Sequence, residues 1–446
     1  MIIIAKPRIL VSKIWDIGEY HKDGLFRLMT YVMRVDYENE VYLQNTVTGQ
    51  LVKLSSKEAD LMELLPSHYS PVMDALIKGC FIVPEEFDEH QKVVIIRELL
   101  RKIKVSKTGS SINAFIILPT TACNARCWYC FEHGIKPVSM SEQTADDVVE
   151  FIANNAKGQK VLLKWFGGEP TLAITRIDQI SKGLKEKGVS FTSEMITNGY
   201  LFNETIIERA DELWNLNSVR ISIDGSEKNY NRIKSYVDPE DNPFQRVMRN
   251  TGLFIRKGIK VELRLNFDIN NYADFYELLA LLEPQFRNNQ LLQLYVHQID
   301  NQARENGIKE FASIERWYND KIFELNNLSR TKGLLSEKNE LPCLNFSHCY
   351  ASDSSAITIT PEGNLVNCPE RIQPDNFVGS IKRGIVNHEL SESWRRIADY
   401  DRCQKCVLFP TCVKVERCSG RDKCFWKKDR ISRYKEAIIR TIHNHL

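Results

Sequence analysis

The strongest constraint on the fold is an alternation of apolar strand-like runs with amphipathic stretches across residues 113–298. Runs rich in β-branched and aromatic residues recur six times, with helical periodicity between them. This alternation predicts an α/β architecture with a parallel sheet, open or partly closed into a barrel, whose functional loops lie at the carboxyl ends of the strands. The predicted strands are Ala114–Leu118, Val161–Phe166, Phe191–Thr197, Val219–Ile223, Lys260–Phe267 and Leu291–Gln298, and the predicted helices include Thr144–Asn155, Thr205–Trp214, Phe244–Lys257 and Phe275–Leu282.

The flanking regions follow other patterns, and 446 residues suffice for about three domains. Short strand-like runs and two short helices in residues 1–86 predict a small winged-helix-like α+β module. Its runs Thr30–Val35 and Val41–Gln44 are separated by turn residues and predict a hairpin. A charge-rich helix is predicted over residues 86–107, and regular periodicity weakens after residue 330. The predicted domains are residues 1–108, 109–330 and 331–446.

The charge balance excludes several functional classes. Lys and Arg number 60 against 58 Asp and Glu, so the chain lacks the basic field of a nucleic-acid-binding protein. No apolar run approaches the roughly 18 residues of a membrane helix, and the N-terminal sequence lacks the features of a signal peptide. We therefore expect a cytoplasmic protein with no nucleic-acid or membrane partner, whose reduced cysteines bind metal or act as catalytic thiols.

Three of the twelve cysteines lie in the loop that follows the first predicted strand. Cys123, Cys127 and Cys130 have the spacing C-x3-C-x2-C. Three thiolates on one short loop can hold three corners of a 4Fe-4S cluster and leave the fourth iron open to a ligand. A zinc site that lacks one ligand is the chemical alternative.

Eight further cysteines lie within the 82 residues from position 343 to position 424. Eight thiolates are the number required by two 4Fe-4S clusters that the protein ligates completely. Two zinc sites need the same number, and the spacing alone does not decide between iron and zinc. Cys80 fits no pattern, and we interpret it as a buried apolar residue. The eight are Cys343, Cys349, Cys368, Cys403, Cys406, Cys412, Cys418 and Cys424.

The cysteine triplet, with Tyr129 directly before its third cysteine, resembles the signature of the radical S-adenosylmethionine (radical SAM) enzymes. The resemblance implies a partial (β/α)6 TIM-like barrel between the winged-helix-like module and a cysteine-rich iron-sulfur domain. It implies that Cys123, Cys127 and Cys130 bind a 4Fe-4S cluster whose open iron chelates S-adenosyl-L-methionine. Reduction then cleaves this cofactor to methionine and a 5'-deoxyadenosyl radical, which makes these cysteines the predicted catalytic residues.

Loops after the next three predicted strands resemble the same family in order. Gly167, Gly168, Glu169 and Pro170 match the GGEP motif, which implies that this loop receives the methionine ammonium group. Physically, a Gly pair lets a ligand approach the backbone, and a carboxylate suits a cation. Arg232 is a further candidate partner for the methionine carboxylate, with a solvated surface arginine as the alternative. The remaining positions, implied to contact the ribose and the methionine carboxylate, are Thr197, Asn198, Ser222 and Asp224.

The C-terminal cysteines resemble the SPASM extension carried by a subset of these enzymes. The resemblance implies two auxiliary clusters, hence three 4Fe-4S clusters in all, and an electron donor such as flavodoxin or ferredoxin. Five residues separate Cys412 from Cys418 where the family has three, so the assignment of Cys418 departs from the pattern. Matching order assigns Cys343, Cys349, Cys368 and Cys418 to auxiliary cluster I, and Cys403, Cys406, Cys412 and Cys424 to auxiliary cluster II.

The N-terminal module resembles the RiPP recognition element of enzymes that modify ribosomally synthesised peptides. The resemblance implies that a strand edge within Leu28–Leu54 captures the leader of a precursor peptide as an added strand. A purely structural module is the alternative. The chain is then identified as a peptide maturase that abstracts hydrogen from the core peptide and forms a thioether or carbon–carbon crosslink. Glu370 is a candidate proton acceptor by position, and a solvated glutamate is its alternative.

Two other functions remain open. Anaerobic sulfatase maturases also carry the SPASM extension and oxidise Ser or Cys to formylglycine. They have an Asp after the cysteine that matches Cys368, where this chain has Pro369 and then Glu370, and they lack the N-terminal module. A non-catalytic iron-sulfur or zinc protein that binds peptides as an adaptor is the other alternative, and it predicts no cleavage of S-adenosyl-L-methionine.

Overall fold

The computed structural model describes residues 1–9, 23–108, 112–130, 132–299, 311–335, 341–345, 349–397, 399–412, 415–417 and 427–445. The chain forms two compact units, so the residues after position 330 are divided between them. The predicted division into three domains, residues 1–108, 109–330 and 331–446, stays a prediction, because compact units and functional domains need not coincide. The first unit consists of Met1–Gly109, Lys338–Cys349 and Arg396–Leu446, and the second of Ser110–Glu337 and Tyr350–Arg395.

The N-terminal part of the first unit contains two antiparallel sheets. Its strands are β1 (Ile2–Ala5), β2 (Leu25–Leu28), β3 (Val32–Tyr37), β4 (Glu40–Asn45), β5 (Leu51–Lys53), β6 (Ser67–His68) and β7 (Ile82–Pro84). One sheet has the order β1-β5-β4-β3 and the other the order β6-β2-β7. The pairing of β3 with β4 confirms the predicted hairpin.

The same part contains three helices: α1 (Ser56–Leu64) between β5 and β6, α2 (Asp74–Lys78) between β6 and β7 after a 3-10 turn at Pro71–Met73, and α3 (Glu89–Thr108) after β7. A capping box fixes the start of α1. The Ser55 side chain accepts a hydrogen bond from the Glu58 backbone, and the Ser55 N–H donates to the Glu58 carboxylate at 2.8 Å. These reciprocal bonds satisfy backbone donors that a helix start otherwise leaves unpaired.

The second unit is built on a mostly parallel ten-stranded sheet, which confirms the predicted α/β fold. Six parallel strands follow one another in chain order: β8 (Ala114–Thr120), β9 (Val161–Gly167), β10 (Phe191–Thr197), β11 (Leu216–Ile223), β12 (Lys260–Phe267) and β13 (Leu292–Gln298). β14 (Ala356–Ile359) pairs in parallel with β8. Three short antiparallel strands continue the sheet beyond β14: β15 (Asn364–Val366), β16 (Gly379–Ser380) and β17 (Gly384–Ile385).

Helices connect the parallel strands of the second unit. They are α4 (Glu142–Ala156), α5 (Ile174–Glu186), α6 (Glu204–Glu212), α7 (Glu227–Lys234), α8 (Pro243–Arg256), α9 (Asp274–Phe286), α10 (Phe311–Thr331) and α11 (His388–Ser393), with 3-10 turns at Pro170–Ala173, Tyr350–Ser352 and Pro374–Asn376. Ser141, Asn203 and Asn242 cap α4, α6 and α8 through their side chains. α5 and α7 are absent from the sequence prediction, and α7 proves important for the site.

The two faces of the parallel sheet differ. Phe115, Leu163 and Ile221 lie on the face that packs against the helices, in one large buried cluster. Ile116, one position after Phe115, and Phe166, three positions after Leu163, point to the other face and belong to a much smaller cluster there. The helix-covered face is therefore the main core, and the carboxyl ends of β8–β13 remain available to position a site.

The C-terminal segment returns to the first unit with α12 (Asp401–Gln404), a 3-10 turn at Phe409–Thr411 and α13 (Lys427–His443). Ile438 and Ile442 of α13 pack against Met33 and Tyr42 of the four-stranded sheet. The other face of that sheet packs against the N-terminal helices. Because both faces are covered, α13 is part of the core of the N-terminal module. Within the described part of the chain, every helix is too short or too polar to cross a lipid bilayer.

Candidate active site at the carboxyl ends of the parallel strands

The loop after β8 carries the cysteine triplet. Cys123, Cys127 and Cys130 are partly exposed, and none of them forms a disulfide. The Ala125 N–H donates to Cys123 Sγ at 3.4 Å, and the Cys130 N–H donates to the Cys127 carbonyl at 3.1 Å. The loop therefore turns tightly and keeps the three thiols on one short segment at the end of the first parallel strand, as predicted.

The surroundings keep these thiols protonated in the absence of metal. Burial raises the pKa of all three, and that of Cys123 reaches about 12 because the Glu169 carboxylate adds its charge. The positive charge of Lys234 offsets part of this rise for Cys127, whose pKa is still raised overall. Cluster assembly must therefore release protons from the loop. Among the described residues, no three Cys, His, Asp or Glu side chains converge as they would around a single metal ion.

The glycine loop after β9 packs directly on the cysteine loop. A Cβ on Gly167 would lie 2.3 Å from the Thr120 carbonyl oxygen, and one on Gly168 would lie 2.2 Å from that of Ala122. Gly167 also has a φ of +119°. The Glu169 N–H donates to the Ala122 carbonyl at 2.8 Å. Only glycine permits this close approach of two backbones, which explains the Gly pair in the motif.

Glu169 is completely buried and holds two further loops together. Its carboxylate accepts hydrogen bonds from the Thr171 N–H at 3.1 Å and hydroxyl at 2.5 Å, from the Thr197 hydroxyl at 2.8 Å and from the Asn198 N–H at 2.7 Å. Burial raises its pKa even though these bonds favour the carboxylate form. Because four donors already occupy this carboxylate, its role in the structure is to join the loops after β9 and β10. Pro170 begins the 3-10 turn beyond it.

Asn198 connects the β10 loop to the cysteine loop. Its side-chain amide donates to Asn124 Oδ1 at 2.7 Å. The predicted residues 167–170, 197 and 198 are thus brought into one contact network with the loop that carries the cysteines.

A buried ionic network follows β11. Asp224 accepts a hydrogen bond from the Tyr129 hydroxyl at 2.6 Å and forms an ion pair with Lys234 at 2.9 Å. The Lys234 ammonium also donates to the Ser222 hydroxyl at 2.6 Å, and Asn266 of β12 donates to Tyr129 and Asp224 at 3.0 and 3.2 Å. Burial would lower the pKa of Lys234, but Asp224 and Tyr129 raise it well above its usual value. The predicted Tyr129, Ser222 and Asp224 therefore meet around a cation that the sequence analysis missed.

That cation, and not Arg232, is the positive charge inside this site. Arg232 lies on the exposed side of α7, where its guanidinium donates to Asn229 Oδ1 at 2.9 and 3.2 Å. Residues two apart on a helix lie about 200° apart around its axis, so Lys234 faces inward where Arg232 faces out. Tyr230 is completely buried and shares the inward face with Lys234, since residues i and i+4 of a helix lie on one face, but this relation becomes visible only once α7 is known.

The C-terminal cysteines are described in part. Cys403, Cys406 and Cys412 lie in the first unit, where burial raises the pKa of Cys403 and the charge of Cys412 raises it further. Cys343 and Cys349 also belong to the first unit, whereas Cys368 follows β15 in the second. Cys418 and Cys424 lie outside the described residues. Glu370 is exposed to solvent.

Arg97 of α3 lies beside the C-terminal cysteines of its unit. It is buried, and its guanidinium donates to the carbonyl oxygens of Phe409 and Cys412, the latter at 2.9 Å. Its Nε and Nη1 atoms are buried without a hydrogen-bond acceptor among the described residues. Burial lowers the pKa of Arg97 to about 10, while Cys412 and Cys403 oppose that change. An unsatisfied buried guanidinium requires a negative partner, which thiolates can provide.

Comparison with known proteins agrees with the fold. Residues 117–282 match the family model of the radical SAM superfamily. The chain therefore contains a radical SAM domain, which lies within the second unit. The match spans the cysteine loop, the glycine loop and the Lys234–Asp224 network, and it includes neither the N-terminal module nor the C-terminal cysteines.

Curated relatives match this chain at low identity. The chain is 24% identical over 257 residues to the radical SAM cyclopropyl synthase TigE of Paramaledivibacter caminithermalis. The aligned region covers 49% of this chain and 52% of TigE. It is 21% identical over 295 residues to GTP 3',8-cyclase of Clostridium perfringens, with coverage of 64% and 89%. The chain thus spans about half the length of the first relative.

A solved structure shares the fold more extensively. The structure of anSMEcpe with bound AdoMet superimposes with a TM-score of 0.59 and 17% identity, over 74% of this chain and 98% of that one. At this identity, the likeness concerns the fold.

Proposed function

We propose that this chain is a radical SAM enzyme that modifies a ribosomally synthesised precursor peptide. The observation that carries the proposal is the contact of three loops around the cysteine triplet: the glycine loop after β9, the Asn198 loop after β10 and the Lys234–Asp224 network after β11. Cys123, Cys127 and Cys130 would hold a 4Fe-4S cluster, and the loops would hold S-adenosyl-L-methionine. When bound, these groups supply a 5'-deoxyadenosyl radical.

The buried network would keep the cysteine loop in place. Lys234 and Asp224 both contact the Tyr129 hydroxyl, and Tyr129 lies between Cys127 and Cys130 in the sequence. The Lys234 charge also favours the thiolate form of Cys127. Ser222 and Lys234 are hydrogen-bond donors that suit an anionic group such as a carboxylate. Glu169 acts as a positioning residue, since its hydrogen bonds fix the loops after β9 and β10 relative to each other.

The N-terminal module would bind the leader of the precursor. Its four-stranded sheet ends at β1 and β3. Charged side chains on β3 disfavour the addition of a further strand at that edge, since Arg34 forms ion pairs with Asp36 and Glu63. β1 covers β5 through only three register pairs with an irregularity between Ile3 and Ala5. We therefore place the leader strand at β5, within the predicted range Leu28–Leu54, in exchange for β1.

Peptide modification is further supported by a structural neighbour. A structure of anSMEcpe holds AdoMet together with the Cp18Cys peptide. For this chain we propose that the core peptide loses a hydrogen atom to the radical and forms a thioether or carbon–carbon crosslink. Two auxiliary 4Fe-4S clusters on the C-terminal cysteines would take up the surplus electron, and flavodoxin or ferredoxin would reduce the first cluster.

Cofactor cleavage tests the radical mechanism. Anaerobically reconstituted protein with dithionite and S-adenosyl-L-methionine should release 5'-deoxyadenosine, measured by liquid chromatography. Cys127→Ala should abolish this product, whereas Cys80→Ala, which removes a buried thiol of the N-terminal core, should retain it. If Cys127→Ala releases as much product as the parent chain, the proposed mechanism is wrong and the adaptor alternative gains support.

Mass spectrometry of a co-expressed precursor peptide tests the reaction type. A thioether removes two hydrogens and one thiol that iodoacetamide would otherwise alkylate. Formylglycine, the product of the sulfatase-maturase alternative, gives an aldehyde that reacts with a hydrazine. An unchanged peptide mass would contradict maturation of that peptide.

A further inference from the structure

Strands β9–β12 carry charged side chains on the face turned away from the helices. Lys164 of β9 is the register partner of Glu194 in β10, and Arg220 of β11 is the partner of Glu262 in β12. Parallel sheets buried on both faces normally have apolar residues on both, because no water is present to solvate charges. The alternation of apolar and charged residues along these strands therefore indicates that this face lines a cavity instead of a second core.

A cavity of about 210 Å³ lies on this face and is lined by all four charged side chains together with Ile196, Lys260 and Gln293. At about 30 Å³ per water molecule, this volume holds a single amino-acid side chain, and it is smaller than the roughly 300 Å³ at which small-molecule sites begin. The size therefore favours one residue of a peptide over a nucleotide.

Two of the lining charges neutralise each other. Arg220 forms a bidentate contact with Glu262, with N–O distances of 2.5 and 3.2 Å. Nη2 donates to Oε2 at the longer distance, and the short Nε–Oε1 approach completes the ion pair. The charges left for a ligand are those of Lys164, Glu194 and Lys260, which give an excess of one positive charge.

Lys164 is held weakly by its neighbours. Its Nζ lies 3.9 Å from Glu194 Oε2, beyond hydrogen-bond distance, and 4.6 Å from the centre of the Tyr350 ring. No described residue accepts a hydrogen bond from it, although its side chain is only 12% exposed. Burial lowers its pKa. Its contacts are thus one long ion pair and one aromatic ring, and Glu194, at 34% exposed, can also be solvated, so a second carboxylate could supply the hydrogen-bond acceptor that this ammonium group does not find among the described residues.

We infer that this cavity binds the side-chain carboxylate of an aspartate or glutamate in the peptide substrate, and that Lys164 is its receptor. The inference rests on the proposed function, since it names a substrate residue for the same domain. Lys164 lies three residues before Gly167, about 10 Å along β9 from the glycine loop. An acidic residue held there anchors the peptide beneath the predicted cofactor site.

Site-resolved acetylation tests the inference without an identified precursor. The anaerobic holoenzyme is treated with N-acetoxysuccinimide, with and without N-acetylglutamate amide, and acetylation of each lysine is followed by peptide mass spectrometry. With about 20 mM probe and a dissociation constant of about 10 mM, mass action predicts about threefold slower acetylation of Lys164. Lys182, which is 72% exposed on α5, is the internal control and should react at an unchanged rate.

An unchanged acetylation rate of Lys164 in the presence of N-acetylglutamate amide would overturn the inference, and so would three further outcomes. Equal protection by N-acetylglutamine amide would exclude recognition of a carboxylate, and stronger protection by inorganic phosphate would assign the cavity to a phosphate-bearing ligand. A Lys164 that does not react even without probe would be inaccessible to a substrate side chain. Glu194→Gln removes the competing carboxylate and should increase the protection. Because the assay needs no cofactor cleavage, its failure is distinct from a failure to form 5'-deoxyadenosine.

Discussion

At the scale of single residues, the site depends on charges buried where water cannot solvate them. The side chains of Lys234 and Asp224 are 3% and 0% exposed, and each is the main counter-charge of the other. A buried pair contributes little net stability, yet removal of one member leaves an uncompensated charge. The pair therefore fixes one arrangement of α7 and the Tyr129 loop. We expect the loss of either side chain alone to destabilise the protein.

Lys234→Met should lower the free energy of unfolding by about 3–5 kcal/mol, because the buried Asp224 then loses its counter-charge. Adding Asp224→Asn should restore part of the loss, since the amide carries no charge. The measurement is urea denaturation of the anaerobic protein, followed by circular dichroism. A double variant that loses the sum of the two single effects would show that the two side chains are not energetically coupled.

Arg97→Met should reduce iron retention, because the guanidinium offers two unused donors and a positive charge beside Cys412. Loss of one auxiliary cluster corresponds to about four of about twelve irons per chain. Iron analysis and electron paramagnetic resonance after reconstitution measure the effect. Arg101→Met, on the same helix but partly exposed, is the matched control and should retain full iron content.

The sequence predicted the residues that local motifs identify, and it missed those that only the fold brings together. Cys123, Gly168 and Glu169 lie in short motifs whose spacing is visible in the chain. Lys234 becomes recognisable only once α7 is known to pack on the sheet, and Arg97 lies about 300 residues from the cysteines it accompanies. Such long-range charge partners leave no periodic signal.

At the scale of elements, tight backbone contacts hold the loops of the site together. The strands β8–β12 were predicted within a few residues because their apolar runs are long. α7 was missed because it has eight residues and few of them are apolar, whereas α5 carries Ile177, Ile180 and Leu184 at helical spacing, a signal that was overlooked. The loops themselves have no periodicity. Their close packing becomes apparent only in the structure, where a Cβ atom on Gly167 or Gly168 would overlap a backbone carbonyl oxygen.

Gly168→Ala should abolish formation of 5'-deoxyadenosine, because its Cβ would overlap the Ala122 carbonyl oxygen and push the glycine loop from the cysteine loop. Gly252→Ala is the matched control, since its Cβ would meet only an arginine side chain at 3.7 Å within α8. That variant should keep activity and gain up to about 1 kcal/mol of stability, as Ala exceeds Gly in helix propensity. Equal activity of the two variants would contradict the close-packing argument.

Ile3→Pro should strengthen binding of a leader peptide, because it weakens β1 and uncovers the edge of β5. Fluorescence anisotropy of a labelled leader measures the change, with Ile3→Val as the control that keeps the strand. Weaker binding in Ile3→Pro would instead place the leader on the outer side of β1. Unchanged binding would place it away from this edge.

At the scale of the whole molecule, the first unit is assembled from both ends of the chain. Cys403 and Cys406 pack against the apolar cluster of the N-terminal module, and α13 covers one face of its sheet. This division could not be read from the sequence, because local composition does not record which distant segments pack together. The radical SAM domain, in contrast, is one nearly continuous segment and was predicted in outline.

Deletion of Met1–Thr108 should leave about four irons per chain instead of about twelve, because the C-terminal cysteines lose the module against which they pack. Uncoupled formation of 5'-deoxyadenosine should persist, since the cysteine triplet belongs to the second unit. Iron analysis and product chromatography on the same preparation test both statements. Full iron retention would show that the C-terminal segment folds without the N-terminal module.

The position of α13 also sets an order for synthesis. About 370 residues separate β5 from the helix that covers its sheet. At about 5–20 residues per second, the ribosome needs on the order of 20 to 75 s to make that stretch. During this interval the radical SAM domain can finish folding. Met33 and Tyr42 remain uncovered until Ile438 and Ile442 have been synthesised. The nascent N-terminal sheet is thus an apolar surface that chaperones encounter before any peptide substrate does.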